Sequence, residues 1–319
     1  MKAGANVLKT SLSQTAIPTA TLWQLIQNEL YKLWKHRVTW ILLGVDLFFV
    51  FTAWCVLVFY AMKTHEGFEP GHLLGGAEAL RNALSQPLIL GRRGGMFITA
   101  ALGGLAFGSE FSNGSIRLIL SRGVNRAAYL LSKYIALAVV CLALVIASLL
   151  LSAVLTSLLI LFHQPAPTLL SLDGPTLQSV LAVCVGSYES FLFCLLFGAA
   201  LALVARSAAF GMAASFAYLI GEDIAAQILP VLSKALHTQL GNQIVDVLYT
   251  TNLNAFYADM LPKFLAQGLD RIDGVVACTP VGNICVASSP IQSLLIVLVW
   301  GLVLAGVPTL LFLKRDVLQ

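Results

Sequence analysis

Residues 133–162 read KYIALAVVCLALVIASLLLSAVLTSLLILF. The 29 residues after the lysine include no Asp, Glu, Lys or Arg. As a helix they are about 45 Å long, more than the ~30 Å of bilayer hydrocarbon. A helix apolar on every side has to be surrounded by protein or by lipid. The chain as a whole decides between them: 58% of its 319 residues are hydrophobic, 11% are charged and mean hydropathy is +0.86. A soluble fold needs more polar skin than that, so lipid is part of this protein's solvent.

Working outward, five further windows have the length and apolarity to span: 38–62, 88–108, 176–204, 208–229 and 291–313. Transmembrane barrels show alternating segments of about ten residues, whereas these runs are continuous. The expected fold is all-α, with six transmembrane helices. The opening MKAGANVLKTSLSQTAIPTA is polar and lacks the apolar core of a cleavable export signal, so the first span is expected to be retained.

Basic residues flanking spans stay in the cytoplasm. With the amino terminus inside, Lys2, Lys9, Lys32, Lys35, Arg37, Arg117, Arg122, Arg126, Lys133, Arg206, Lys314 and Arg315 share one side. The other side holds Lys63, Arg81, Arg92, Arg93, Lys234, Lys263 and Arg271. Both termini are then cytoplasmic, and this bias accounts for the net charge of +4 without nucleic acid. The chain divides into a cytoplasmic 1–37, a transmembrane domain 38–313 with a cytoplasmic segment 109–132 and an outer segment 230–290, and a tail 314–319.

Ahead of the first span, Leu22, Trp23, Ile26, Leu30, Leu33 and Trp34 recur at helical spacing, and Lys35, His36 and Arg37 mark the membrane edge. This reads as an amphipathic helix in the headgroup layer, started by Pro18 and Thr19, with membrane lipid as its partner. Trp23, Leu30, Trp34, Lys35 and Arg37 are its anchoring residues.

Between the second and third spans lies GSEFSNGSIRLILSRGVNRAAYLLSKY, residues 108–134. Ser112 and Asn113 are expected to cap a short helix that Gly123 ends, and Asn125 to cap the third span. The embedded leucines and two caps suit a rigid corner better than a simple connection. Four cysteines, Cys55, Cys141, Cys184 and Cys194, fall within spans, while Cys278 and Cys285 sit in the outer CTPVGNIC. An oxidising exterior permits those two to form a disulfide.

No chemistry-bearing motif accompanies this architecture. Only Lys9 and Lys63 precede a threonine, and neither follows a glycine, so no phosphate-binding loop is present. Gly-x-Ser-x-Gly and His-Glu-x-x-His are absent, which speaks against a membrane enzyme. His65, His72, His163 and His237 lack ligand spacing, so no metal site is expected. Charges within spans are costly and mark candidate function. Tyr188, Glu189, Tyr218, Glu222 and Asp223 form a candidate substrate path; for Glu222 and Asp223 the plainer alternative is a water boundary where the helix breaks at Gly221. Asp46 reads as a helix-interface residue, and Arg92 and Arg93 as snorkelling toward the outer surface.

The opening NELYKLWKHR, followed by Gly108, Glu110, Gly114, Ser115, Leu118–Leu120, Ser121, Arg122, Arg126 and Lys133 after the second span, resembles the permease subunits of type-2 ABC transporters. The layout covers nearly the whole chain and the specific motif about 45 residues. The resemblance implies a permease exporting a substrate across a bacterial plasma (inner) membrane by alternating access. It implies pairing with a second copy, or a related permease, and work delivered by two ABC ATP-binding subunits. ATP and Mg belong to those partners, and no cofactor to this chain. Glu110, Ser115, Arg117, Ile119, Ser121, Arg122 and Arg126 would then meet the ATPase. The alternative is a proton-coupled secondary transporter with Glu189 and Glu222 as carriers.

Overall fold

The computed structural model describes residues 21–63, 77–112, 114, 116, 125–163, 174–249, 251–252, 278–279, 284–285 and 290–314. Its helices are α1 (Leu22–Lys35), α2 (Arg37–Lys63), α3 (Ala77–Ser112), α4 (Arg126–His163), α5 (Gly174–Ala205), α6 (Ala208–Ala235), α7 (Leu240–Val245) and α8 (Pro290–Lys314). Two-residue strands β1 (Cys278–Thr279) and β2 (Ile284–Cys285) pair antiparallel. Among the described residues, five helices, α2, α4, α5, α6 and α8, are long and apolar enough to cross a membrane. The second expected span lies inside α3, whose Arg92, Arg93, Glu110 and glycines dilute its hydropathy.

Physics at the helix ends explains several boundaries. Thr21, not Thr19, caps α1: its hydroxyl accepts from Gln24 N–H at 3.4 Å while the Gln24 side chain accepts from Thr21 N–H at 3.0 Å. Such a reciprocal box needs Glu or Gln three residues on, which Thr19 lacks. Asn125 caps α4 as expected, its Oδ1 accepting from Ala127 N–H at 2.9 Å. Ser112 instead donates back to the carbonyls of Gly108 and Ser109, finishing α3. Gly114 follows at φ 67°, the left-handed conformation in which glycine ends helices. α6 runs unbroken through Gly221, so the expected break there does not occur; glycine weakens a helix by only about 1 kcal/mol.

α3 is the central element, packed most extensively along α5 and also against α2, α4 and α6. A Cβ at Gly103 would collide with the Leu195 carbonyl, and one at Gly198 with that of Ala100. Small residues permit such backbone approach between membrane helices. α4 is sided: Ile146, Leu150, Val154 and Leu158 are exposed, while Ser148, Ser152 and Thr156 are buried. Apolar outside and polar inside is the arrangement lipid requires.

Three contacts fix which ends share a face. Phe111 meets Phe312 edge-on at 6.3 Å, Gly108 abuts Ala208, and α1 lies across the start of α4. The carboxyl ends of α3, α5 and α8 therefore gather with the amino ends of α4 and α6. Lys32, Lys35, Arg37, Arg126, Lys133, Arg206 and Lys314 belong to this end. Near the middles of α5 and α8, Trp300 Nε1 donates to the Val247 carbonyl at 3.2 Å, and the buried Tyr249 packs between Phe193 and Trp300.

Candidate functional site

Where α1, α3 and α4 meet, four charges share one contact. Lys133 of α4 donates to Glu29 Oε2 at 3.0 Å, pairs with Glu110 Oε1 at 2.9 Å and donates to the Ala106 carbonyl at 3.0 Å. Lys32 bonds Glu29 Oε1 at 2.6 Å and reaches Glu110 Oε1 at 3.4 Å. The Lys133 ammonium also lies 5.5 Å from the Phe107 ring and 5.6 Å from that of Tyr129, within cation–π range. Lys133 and Glu29 are 3% and 5% exposed, so water barely reaches the pair joining α1 to α4.

Each side chain arrives by helix geometry. Ile26, Glu29, Leu30 and Leu33 recur on one face of α1, and that face turns inward. Glu110 closes the last turn of α3, and Lys133 lies two turns into α4. Burial raises the Glu29 carboxyl, but the ammonium groups of Lys133 and Lys32 outweigh it and hold the group below its ordinary value of 4.5. Two acids and two bases leave the node neutral, which makes such burial tolerable.

Among the expected ATPase-contacting residues, Glu110 is in this node and Arg126 opens α4. Ser115, Arg117, Ile119, Ser121 and Arg122 lie outside the described residues, so the node stands at the base of that segment. Glu29 was missed in the sequence, although a glutamate flanked by Ile26, Leu30 and Leu33 is a signal that an inward acid awaits a base.

The expected anchors of α1 divide between two faces. Leu30 is half-buried, whereas Trp23 and Trp34 are exposed, away from the face that carries Glu29. Trp34 and Trp40 stack edge-on at 4.6 Å, Trp40 Nε1 donates to the Trp34 carbonyl at 2.8 Å, and Lys35 lies 4.9 Å over Tyr31. Aromatic and cationic groups thus occupy the outer side, with Lys35 and Arg37 exposed among them.

Of the candidate substrate path, Glu222 is buried and Asp223 pairs with Arg93 at 3.1 Å. Tyr218 stacks on Phe197 at 4.5 Å, while Tyr188 and Glu189 are half-buried on α5. Arg92 does not snorkel: it is 1% exposed and donates to Ser190 Oγ at 3.0 Å. At about 100° per residue, Arg92 and Arg93 leave α3 in different directions, one into the bundle and one toward α6. Cys278 and Cys285 are direct partners in the β1–β2 register. Among the described residues no three His, Cys, Asp or Glu side chains group as metal ligands.

A family model described as ABC-2 family transporter protein matches residues 25–222, more than half of the chain and all of the charged node. No curated protein and no solved structure matches it.

Proposed function

The chain belongs to the ABC-2 family of transporter proteins, and from that premise we propose that it is the permease of an ATP-driven exporter, moved through the node of Glu29, Glu110 and Lys133. Family membership makes it the membrane component of an ABC transporter, a transport subunit associating with an ATP-binding subunit. The node carries the finer reading. A partner that closes on nucleotide must push on something stiff. Here the ends of α3 and α4 and the amphipathic α1 are tied by charge-assisted hydrogen bonds with little water between them.

In this reading α3, second in chain order, brings the number of spans to six, both termini are cytoplasmic, and residues 109–132 rest on the partner. Two permeases and two ATP-binding subunits form the transporter in a bacterial inner membrane, with Mg-ATP held by the partners. α1 lies in the headgroup layer with Trp23 and Trp34 toward lipid. Tyr188, Glu189, Tyr218 and Glu222 line the path, while Asp223 is neutralised by Arg93. The family assignment favours ATP over a proton gradient as the driving force.

The test is co-expression with an ABC ATP-binding subunit encoded beside the gene. Ile119→Asp, in the proposed contact segment, is expected to abolish co-purification and permease-stimulated ATP hydrolysis; Glu110→Ala is expected to weaken stimulation more than association. Undiminished association and stimulation in Ile119→Asp would refute the coupling surface. Transport in proteoliposomes driven by a proton gradient without ATP would favour Glu189 and Glu222 as carriers.

A further inference from the structure

The corner between α1 and α2 carries a second cluster of charge, on the face of α1 turned away from the node. Ile41, Val45 and Phe48 of α2 are exposed and fall three or four residues apart, which makes one apolar stripe along the helix. At the head of the stripe Trp40, also exposed, meets Trp34 of α1 edge-on at 4.6 Å and donates from Nε1 to the Trp34 carbonyl at 2.8 Å. Lys35 and Arg37, both exposed, flank His36 in the one-residue link between the helices. At 1.5 Å per residue Arg37 stands about 6 Å beyond Ile41. Aliphatic side chains, then indoles, then cations is the order of the bilayer's own layers from hydrocarbon to headgroup.

The charge on this corner has one sign. Between residues 21 and 45 the only acid is Glu29, and it is turned the other way, onto Lys133 and Lys32. Among the described residues no carboxylate pairs with Lys35 or Arg37. Lys35 leans over the Tyr31 ring at 4.9 Å, which positions its ammonium without neutralising it. A zwitterionic headgroup brings an ammonium of its own beside its phosphate, whereas an anionic one brings negative charge that nothing cancels. Each Lys or Arg close to an anionic lipid surface raises affinity about fivefold. An acidic soluble partner would meet the cations but leave the indoles and the stripe beneath them uncovered; one phospholipid covers all three.

We propose that the α1–α2 corner is a binding site for one anionic phospholipid of the cytoplasmic leaflet, its phosphate held by Lys35 and Arg37 and its chains lying against Trp34, Trp40 and Ile41. The site rests on the reading that α1 lies in the headgroup layer, and not on coupling to an ATPase.

The test offers the delipidated full chain in detergent, without any ATP-binding subunit, equimolar phosphatidylglycerol and phosphatidylcholine of matched acyl chains, and counts retained lipid by native mass spectrometry. The unmutated chain is expected to retain phosphatidylglycerol at least about tenfold over phosphatidylcholine, and Lys35→Gln/Arg37→Gln to retain the two alike. Equal retention by the unmutated chain, or a preference that survives the double variant, overturns the site. Inorganic phosphate at the same concentration is expected to leave the lipid in place; displacement would make this a free-anion site and overturn the proposal. Trp34→Ala is expected to lower retention of both lipids alike, and retention unchanged by it overturns the headgroup placement on which the site rests. All three substitutions are at exposed side chains, so the variants are expected to fold.

Discussion

Replacing Lys133 with methionine removes the centre of the node while nearly keeping its volume. At an effective dielectric of 20, each contact of this ammonium with a carboxylate, at 3.0 and 2.9 Å, is worth roughly 5–6 kcal/mol before desolvation. Burying the ammonium offsets much of that, so the net figure comes from measured cases. Breaking one partner out of a buried pair costs about 3–5 kcal/mol, because the remaining charges are left uncompensated. Lys32 still touches both carboxylates, at 2.6 and 3.4 Å, but it is half exposed and its pairs are screened. The expected loss therefore lies at the lower end, about 3 kcal/mol. At about 2 °C per kcal/mol that is a fall in melting temperature of roughly 6 °C, read by size-exclusion chromatography of heated, detergent-solubilised protein. Adding Glu29→Gln restores neutrality with Lys32 and Glu110 and is expected to recover about half of the loss. Lys32→Met alone is expected to cost under about 1 kcal/mol. A loss below about 2 °C for Lys133→Met, or a double variant worse than the single, would refute the view that a buried ammonium holds the three helices.

Three further outcomes follow from particular contacts. Because Glu29 is held below its ordinary value of 4.5, its contribution is fully present above that value and is lost as pH falls through the folded-state value; melting temperature between pH 6 and pH 3 is expected to fall less steeply in Glu29→Gln than in the unmutated chain. Gly103→Val drives a branched side chain into the Leu195 carbonyl and is expected to cost about 3 kcal/mol or more, seen as loss of monodisperse protein, whereas Gly221→Ala, with nothing near its Cβ position, is expected to be neutral or slightly stabilising. Cys278 and Cys285 are register partners, and opposed residues of an antiparallel pair are within disulfide reach; maleimide mass tagging of the denatured chain is expected to add two labels only after reduction.

Local physics made the long apolar helices, the helix ahead of them and the Asn125 cap legible, because periodicity, length and cap chemistry are written in neighbouring residues. The charged sites were not legible in the same way. Glu29 finds Lys133 from 104 positions away, and only the crossing of α1 over α4 creates the pair. Arg92 illustrates the converse error. Averaged hydropathy places two adjacent arginines at a membrane surface, yet helical rotation sends the first inward to Ser190 and the second to Asp223. Asp46 was legible as an interface residue but not as the acceptor of the Ser148 hydroxyl, since that partner stands on another helix 102 positions on.

The node and the buried Arg92 gain significance from sharing α3. Arg92 and Glu110 are about five turns apart on it, roughly 27 Å. Between them lie Gly95, Gly103 and Gly104, and this stretch of backbone is pressed against Phe191, Leu195 and Gly211 closely enough that no Cβ fits at Gly95 or Gly103 without displacement. A helix held that tightly along its length cannot take up a push by bending locally, because bending would open contacts packed to interior density. In the proposed coupling, a displacement entering at Glu110 would therefore pass along α3 as a rigid movement. It would reach the level of Arg92, where α2, α4 and α5 would have to follow or slide. Close backbone packing thus makes α3 the strut of the bundle, and the charges mark where it is gripped.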